Sequence, residues 1–500
     1  MVSKVYLSPI ILIAFALAAC APTMQVSKTV TPVKPKTITG DAKTYREWGA
    51  AYINIGEYDE AIKNLNTALE INPRYAEAYT NRATAQLRKG QTDLAIADLN
   101  KALEINPRFA QAYNNRATAL LRTGQYEPAL ADLDKALEIN SRYAEAYSNR
   151  AVANAGLRKY PEALADLDKA LEINPKYAIA QFNRGYVYSA MGQYEDAIAQ
   201  FNLAVDLDPG YGDAFSNRAN AYAALGQYDR AIADYDRALE LNPTHAEAYS
   251  NRAAAYLRKG QYNHAVSDYS KALEIDPNFA EAYNDRASAY ISQGQYERAI
   301  PDLVRALEIK PGFSKAYYNR GFVYAARGEY GRAIPDYDKA LQLNPWFAEA
   351  LSNRAAAYSG IGRYDEAISD LDKALEIRPQ YSKAFYNRGF VHSAIGQYDD
   401  AIEDYNKALA IDPKFVMAYS DRASALVNKG RYDLAIDDYN KVLEITPGYA
   451  LAYFNKALAC EAVGRIQVAV EAYRGYIAHA PPDQAPYIQH ARKRIAVLEH

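Results

Sequence analysis

A 34-residue stretch, residues 246–279, decides the fold and reads AEAYSNRAAAYLRKGQYNHAVSDYSKALEIDPNF. Two sets of apolar residues in it follow the i, i+4, i+7 spacing that places side chains on one face of an amphipathic helix. Gly260 lies between the sets and can end the first helix and turn the chain, and Pro277 can stop the second. The stretch therefore predicts two helices joined by a turn. The sets are Tyr249, Ala253 and Tyr256, then Ala265, Tyr269 and Ala272.

The same pattern recurs along the chain without an insertion. Counting Ala246 as position 1, a proline at position 32 returns every 34 residues from Pro73 to Pro481, and Ser141 replaces it once. Thirteen repeats result, covering residues 42–483, with alanine at position 20 in all of them. Glycine occupies position 15 in twelve repeats, and Arg158 is the exception. Because each repeat can bury its apolar face only against its neighbours, the pattern predicts one all-α solenoid rather than several globular domains.

The repeat resembles the tetratricopeptide repeat (TPR), in the variant with Asn-Arg-Ala or Asn-Arg-Gly at positions 6 to 8, as in Asn251-Arg252-Ala253. This resemblance implies an α-solenoid that winds as a right-handed TPR superhelix. Residues 484–500 place apolar side chains on one helix face and charged ones on the other, which predicts a C-terminal capping helix. Proline at position 22, Pro301 and Pro335, predicts second helices that bend or start late in two repeats.

Composition disfavours several classes of function. Lys plus Arg number 57 against 60 Asp plus Glu, so the chain lacks the excess positive charge typical of nucleic-acid binding. Two cysteines and six scattered histidines give neither a disulfide framework nor metal-ligand spacing. No grouping of nucleophile, base and oxyanion donor stands out. The sequence therefore predicts a non-enzymatic protein without a cofactor or metal.

The N-terminus has the features of a secretory signal. An apolar run from Val5 to Ala16 follows Lys4 and is too short to span a bilayer. Leu17-Ala18-Ala19-Cys20 resembles the lipobox of bacterial lipoproteins, which implies cleavage after residue 19 and acylation of Cys20. The resemblance also implies a lipid-anchored envelope protein, sorted to the outer membrane and facing the periplasm. The alternative is an ordinary export signal in which Cys20 is incidental.

Residues 20–41 then form the acylated cysteine and a tether that contains three prolines. We expect the membrane contact of the protein to be made by the lipid anchor only, since the tether is solvated and no apolar stretch can cross the bilayer.

Seven aromatic residues of the repeats are not explained by the repeat pattern. All lie at positions 5 or 9 of a first helix, which in the TPR family line the concave groove that receives ligands. Six form i, i+4 pairs, which we interpret as aromatic platforms for apolar side chains or sugar faces. The alternative is that they fill space where glycine at position 8 shifts the helix pair. The candidate groove residues, with two lysines at position 2, are Phe182, Tyr186, Lys315, Tyr318, Phe322, Lys383, Tyr386, Phe390 and Phe454.

Arginine at position 7 and aspartate at position 23 occur together in ten repeats, for example Arg252 and Asp268. This pairing predicts structural ion pairs between the helices rather than a phosphate site. It leaves open whether the aspartate belongs to the same repeat or to the next.

The sequence as a whole predicts a scaffold that binds a protein or peptide in its groove and organises a complex of the bacterial envelope. One alternative is a polysaccharide-handling TPR lipoprotein of exopolysaccharide export, whose groove aromatics would stack on a glycan. A second alternative is a structural spacer.

Overall fold

The computed structural model describes residues 40–499. The predicted signal segment, Cys20 and nearly all of the tether lie outside these residues. The described part is all-α and contains no strand. It divides between Asp276 and Pro277 into two compact bodies, here called the N-terminal and the C-terminal body.

The N-terminal body contains seven helix pairs, one for each of repeats 1 to 7. Each first helix spans 13 residues and each second helix 14. The helices are α1 (Ala42–Asn54), α2 (Tyr58–Ile71), α3 (Ala76–Arg88), α4 (Thr92–Ile105), α5 (Ala110–Arg122), α6 (Tyr126–Ile139), α7 (Ala144–Gly156), α8 (Tyr160–Ile173), α9 (Ala178–Ala190), α10 (Tyr194–Leu207), α11 (Gly212–Ala224), α12 (Tyr228–Leu241), α13 (Ala246–Arg258) and α14 (Tyr262–Ile275).

The C-terminal body continues the pattern with six helix pairs, for repeats 8 to 13, followed by a short 3-10 helix (Pro482–Gln484) and one further α-helix. The α-helices are α15 (Ala280–Ser292), α16 (Tyr296–Ile309), α17 (Ser314–Ala326), α18 (Tyr330–Leu343), α19 (Ala348–Gly360), α20 (Tyr364–Ile377), α21 (Ser382–Ala394), α22 (Tyr398–Ile411), α23 (Val416–Asn428), α24 (Tyr432–Ile445), α25 (Ala450–Ala462), α26 (Ile466–His479) and α27 (Ala485–Leu498). The last helix lies in the predicted capping segment, buries Ala491 completely, and pairs Arg494 with Glu461 of α25.

The turn inside each repeat depends on position 15. Gly260 has φ +72°, and Gln261 donates its N–H to the Tyr256 carbonyl at 2.9 Å, as in a Schellman motif. Arg158 adopts φ +59° and makes the same turn without glycine. At the other end of the repeat, the residue before the proline is extended, as at Asn72 with φ −131°, because a following proline disfavours the helical region.

Small residues let the paired helices approach closely. Ala253 and Ala265, at positions 8 and 20, are fully buried against each other's helices, and Tyr269 at position 24 fills the space beside them. Alanine at position 20 is likewise fully buried from Ala61 to Ala469. Within each body, the core therefore combines small residues where the paired helices meet with a large side chain at position 24, either a ring or a leucine.

The helices that contain Pro301 and Pro335 were predicted to bend or to start late, and they do not start late; the bend stays a prediction. These helices begin at Tyr296 and Tyr330, the same position 17 as elsewhere. Their first turns tighten instead. Arg298 donates its N–H to the Gln295 carbonyl at 3.1 Å, an i to i−3 bond, and the second proline helix has the equivalent bond at 2.9 Å.

Candidate functional site

Arginine and aspartate join the two helices of one repeat. In repeat 7, Arg252 donates from Nε and Nη2 to the two carboxylate oxygens of Asp268 at 2.6 and 2.8 Å. Asp268 is buried, so the fork–fork geometry compensates a charge removed from water. The partner aspartate therefore belongs to the same repeat. The same two bonds occur at Arg82, Arg116, Arg150, Arg218, Arg286, Arg320, Arg354, Arg388 and Arg422.

In eight repeats the third nitrogen of the guanidinium, Nη1, also bonds to a residue of the preceding repeat. Nη1 of Arg354 donates to Asp338 of the preceding repeat at 2.6 Å, and Arg116 donates to Asn100 at 2.8 Å. In these ten repeats the Nε and Nη2 donors are occupied by the aspartate of the same repeat, so the arginine row is accounted for by structural ion pairs rather than by a phosphate site. Repeat 5 is an exception, because Gln200 replaces the aspartate. There the Nε of Arg184 and the Oε1 of Gln200 are both buried without a hydrogen-bond partner.

The aromatic residues at position 5 pack inside the repeats and do not form open platforms. Phe182 is only 3% exposed and its ring lies 5.0 Å from Tyr211. Tyr318 lies 4.7 Å from Phe347. Each such ring also contacts the ring at position 24 of its own repeat. The further contacts are Phe182 with Phe201, Tyr318 with Tyr337, and Tyr386 with Tyr405 and Phe415.

Glycine at position 8 explains why these three repeats differ. A Cβ added to Gly185 would come within 2.7 Å of the Phe201 ring, and one added to Gly389 within 3.0 Å of the Tyr405 ring. Glycine thus makes room for two large rings in one core. The interpretation of Phe182, Tyr318 and Tyr386 as ligand-binding rings is therefore wrong, because these rings pack against other rings of the protein.

The polar atoms of Lys383, Tyr318 and Tyr386 have partners within the protein. Lys383 donates from Nζ to Asn353 Oδ1 at 3.0 Å, and Asn353 donates in turn to the Tyr318 hydroxyl at 3.0 Å. The Tyr386 hydroxyl donates to Asp421 at 2.8 Å. These residues form a polar row along the first helices of successive repeats, at positions 2, 5 and 6.

Two repeats carry aspartate where this row usually has asparagine. Burial raises the pKa of Asp285 to about 6, although a hydrogen bond from Asn284 and the charge of Lys315 both favour its ionised form. Burial also raises the pKa of Asp421. Lys315 therefore lies close enough to a carboxylate of the preceding repeat to act on it.

Phe454 belongs to the C-terminal cap. Its ring lies 5.0 Å from Tyr476 and 5.9 Å from Tyr487 of α27, and it also contacts Tyr473 and His490. This contact stabilises the last repeat against α27, so Phe454 is a packing residue.

The aromatic residues at position 9 differ in exposure. Phe390 is 50% exposed, whereas Tyr186 and Phe322 are half-buried. Positions 2 and 9 lie seven residues apart and share one helix face. On that face, three aliphatic side chains that the sequence analysis missed are also exposed: Met417, Leu451 and Leu458, at 50, 53 and 43%. We call Phe390, Met417, Leu451 and Leu458 the C-terminal apolar face.

A signal for these residues was present in the sequence. Position 2 is acidic in most earlier repeats, as at Glu247 and Glu281, and becomes apolar at Met417 and Leu451. Both residues are aliphatic, so the aromatic pattern at positions 5 and 9 does not include them.

Residues 40–499 contain neither a cluster of metal ligands nor a helix that could span a membrane. No group of three or more His, Cys, Asp or Glu side chains there could hold a metal ion. Among the same residues, no helix is both long and apolar enough to cross a bilayer.

Family models described as TPR repeat and Tetratricopeptide repeat match the chain along nearly its whole repeat region. The chain belongs to the tetratricopeptide-repeat family. TPR solenoids generally act as non-enzymatic scaffolds that bind peptide or protein partners. The matched ranges are 49–90, 219–260 and 287–328 for the first description, and 76–109, 110–143, 142–209, 246–279, 269–300, 314–347, 346–414, 386–450 and 420–485 for the second.

Solved structures of other TPR proteins resemble this TPR chain. Cut9–Hcn1 of the APC/C matches with a TM-score of 0.50 and 15% identity, over 92% of this chain and 96% of that one, which shows a shared fold. YrrB, described as a TPR protein with an unusual peptide-binding site, is 29% identical over 37% of this chain and 95% of its own, with a TM-score of 0.32. A TPR protein from Parabacteroides merdae is 25% identical over 50% and 98%, with a TM-score of 0.41. The comparison with curated proteins found no match.

Proposed function

We propose that this TPR protein is a non-enzymatic scaffold of the bacterial envelope that binds a peptide segment of a partner protein on its C-terminal apolar face. The observation that carries the proposal is the exposure of Phe390, Met417, Leu451 and Leu458, each between 43 and 53%, on one face of three first helices. Position 2 is charged in most other repeats, and position 9 is small or polar in most of them. Large apolar side chains left open at these positions suit an interaction site better than packing.

The chemistry of the face favours a peptide over a glycan. Sugar recognition combines an aromatic ring with nearby hydrogen-bonding groups, but Met417, Leu451 and Leu458 are aliphatic. Flexible methionine and leucine side chains are suited to apolar side chains of a partner. Glycan binding, as in exopolysaccharide export, remains the second candidate for Phe390, the one ring of the face. A structural spacer would need no such face.

The N-terminal sequence supports the location. Leu17-Ala18-Ala19-Cys20 after a short apolar run fits lipoprotein processing, and acyl chains on Cys20 would anchor the protein at the outer membrane, facing the periplasm. Intact-mass measurement of membrane-extracted protein should give a chain that lacks residues 1–19 and carries added lipid. An unmodified N-terminus at another residue would contradict the anchor and leave the binding face untouched.

Photo-cross-linking in the cells that make the protein tests the binding face. A photoreactive amino acid placed at Leu451 should give a discrete adduct with a partner protein. The same group at Leu434, which is 52% exposed but lies on a second helix, is the matched control and should give none.

A reversion variant extends the test. Phe390→Ala, Met417→Glu, Leu451→Glu and Leu458→Ser together install residue types that other repeats carry at these positions. This variant should fold as the wild type does, and the partner identified at Leu451 should bind it at least about tenfold more weakly. Equal binding, or identical adducts from Leu434, would refute the assignment. A glycan array on the purified protein provides the test of the second candidate.

A further inference from the structure

The turn between α18 and α19 carries an unusual side chain. Trp346, at position 33, is 76% exposed. Its backbone N–H donates to Asn344 Oδ1 at 3.2 Å, an Asx turn that other repeats share. The backbone of this turn is the same in other repeats, and only the side chain at position 33 differs. Five other repeats carry a basic residue there: Arg74, Arg108, Arg142, Lys176 and Lys414.

A cavity of about 360 Å³ opens beside this tryptophan, and we call it the Trp346 notch. This volume is at the lower end of the range for ligand pockets. Leu341 and Leu351 are mostly buried and form apolar walls, while charged groups lie at the rim. The lining residues used below are Leu341, Trp346, Leu351, Arg354, Lys373 and Glu376.

The notch exists because repeat 10 lacks a ring. Position 4 is tyrosine or phenylalanine in eleven repeats and leucine only at Leu351. In nine repeats the position 7 guanidinium lies 5.3 to 5.6 Å from the centre of that ring. Arg354 lies 5.8 Å from Tyr358 instead. In repeat 10, the space that a position 4 ring fills in other repeats is therefore not filled by a ring of the protein.

At the rim of the notch, the charged residues at positions 26 and 29 also differ in their contacts from those of other repeats. Positions 26 and 29 form an ion pair of 2.6 to 3.0 Å in seven other repeats that carry Lys or Arg followed by Glu. Lys373 and Glu376 have the same spacing, yet within the part of the chain that the structure describes they do not pair with each other. Three departures from the repeat therefore coincide at one place: an added tryptophan, a missing ring and an open ion pair.

We propose that the Trp346 notch binds the aromatic side chain of a tyrosine or phenylalanine presented by a partner polypeptide. The inserted ring would occupy the place that eleven repeats fill with their own ring. It would pack against Leu341 and Leu351, face the Arg354 guanidinium, and stack on Trp346. Lys373 and Glu376 are placed to meet polar groups on either side of that residue in the partner chain.

This site is separate from the C-terminal apolar face. Position 4 lies two residues from position 2, which places it on roughly the opposite side of the first helix. Binding in the notch therefore does not depend on the function proposed for that face, and each site can fail without the other.

An NMR titration of the full chain tests the notch, with N-acetyl-L-tyrosinamide as the probe. The two tryptophans, Trp48 and Trp346, give two indole N–H signals, and Trp346→Arg identifies the second by its loss. We expect the probe to shift the Trp346 signal saturably and to leave the Trp48 signal in place. N-acetyl-L-leucinamide should bind at least about fivefold more weakly, because it lacks the ring.

Leu351→Tyr is the decisive variant, because it restores the residue type of the other repeats and fills the notch from within. It should retain the fold, raise the thermal midpoint, and weaken probe binding at least tenfold. Trp346→Arg, which changes only an exposed side chain, should weaken binding similarly when saturation transfer to the probe is measured. An unshifted Trp346 signal, equal binding of the leucine probe, or unchanged binding to Leu351→Tyr would each overturn the proposal.

Discussion

Two aromatic residues of α21 lie four positions apart and have opposite surroundings. Tyr386 packs its ring between Tyr405 and Phe415 and donates its hydroxyl to Asp421. Phe390, one turn later, is 50% exposed. One turn of α21 thus carries both a side chain of the packed interior and a side chain of the open surface. Helical spacing shows that two side chains are neighbours, but it does not show which one the next helix covers.

The largest expected effect separates these two residues. Tyr386→Ala should lower the free energy of unfolding of the C-terminal body by about 4 kcal/mol, since it removes a ring from a packed core and strands Asp421. Phe390→Ala should change it by less than about 0.5 kcal/mol. Hydrogen exchange of α21 to α23 measures both. Equal destabilisation by the two variants would contradict the assignment of Tyr386 to the packed interior and of Phe390 to the open surface.

The ion pair inside repeat 7 should show the next largest effect. Arg252→Leu leaves Asp268 buried without its partner and should cost about 3 kcal/mol of stability. The double variant Arg252→Leu/Asp268→Leu should recover much of this loss, because no charge is then stranded. Binding of the identified partner per folded molecule should not change, as measured by titration after correction for folded fraction. A stable Arg252→Leu protein that no longer binds would instead make the arginine a ligand-binding residue.

Asp285 should show a pH-dependent effect. Its pKa is raised to about 6 in the folded protein from an ordinary value of 3.8, so the stability it contributes is present below about pH 4 and is lost as pH rises through 6. Asp285→Asn, the residue type of most repeats, should therefore stabilise the C-terminal body by about 2 kcal/mol at pH 8 and leave it nearly unchanged at pH 3.5. Thermal unfolding at both pH values gives the comparison, and a gain that is the same at both would contradict it.

The smallest effect is expected in repeat 5. Gln200→Asp offers Arg184 the carboxylate that ten other repeats have, and should raise stability by about 1 kcal/mol. Gln200→Asn shortens the side chain without adding charge and serves as the control. If both variants change the free energy of unfolding by the same amount, the missing carboxylate charge does not lower the stability of this repeat.

The sequence by itself determined the repeat architecture. The 34-residue period, glycine at position 15 and proline at position 32 predict two helices and a turn in every repeat, because each feature acts within one repeat or on its nearest neighbour. The pairing of arginine with aspartate was also visible, although the structure was needed to place both residues in the same repeat.

The tertiary structure alone decided which side chains remain open. In the sequence, Phe182, Tyr318 and Tyr386 belong to the same kind of aromatic pair as Phe390. Their burial depends on a ring at position 24 of the second helix and on a ring at position 34, directly before the next repeat. The Trp346 notch likewise forms from residues of α18, α19, α20 and the turn between the first two. Exposure depends on which surfaces meet in space, and a local pattern records only the surface that one helix presents.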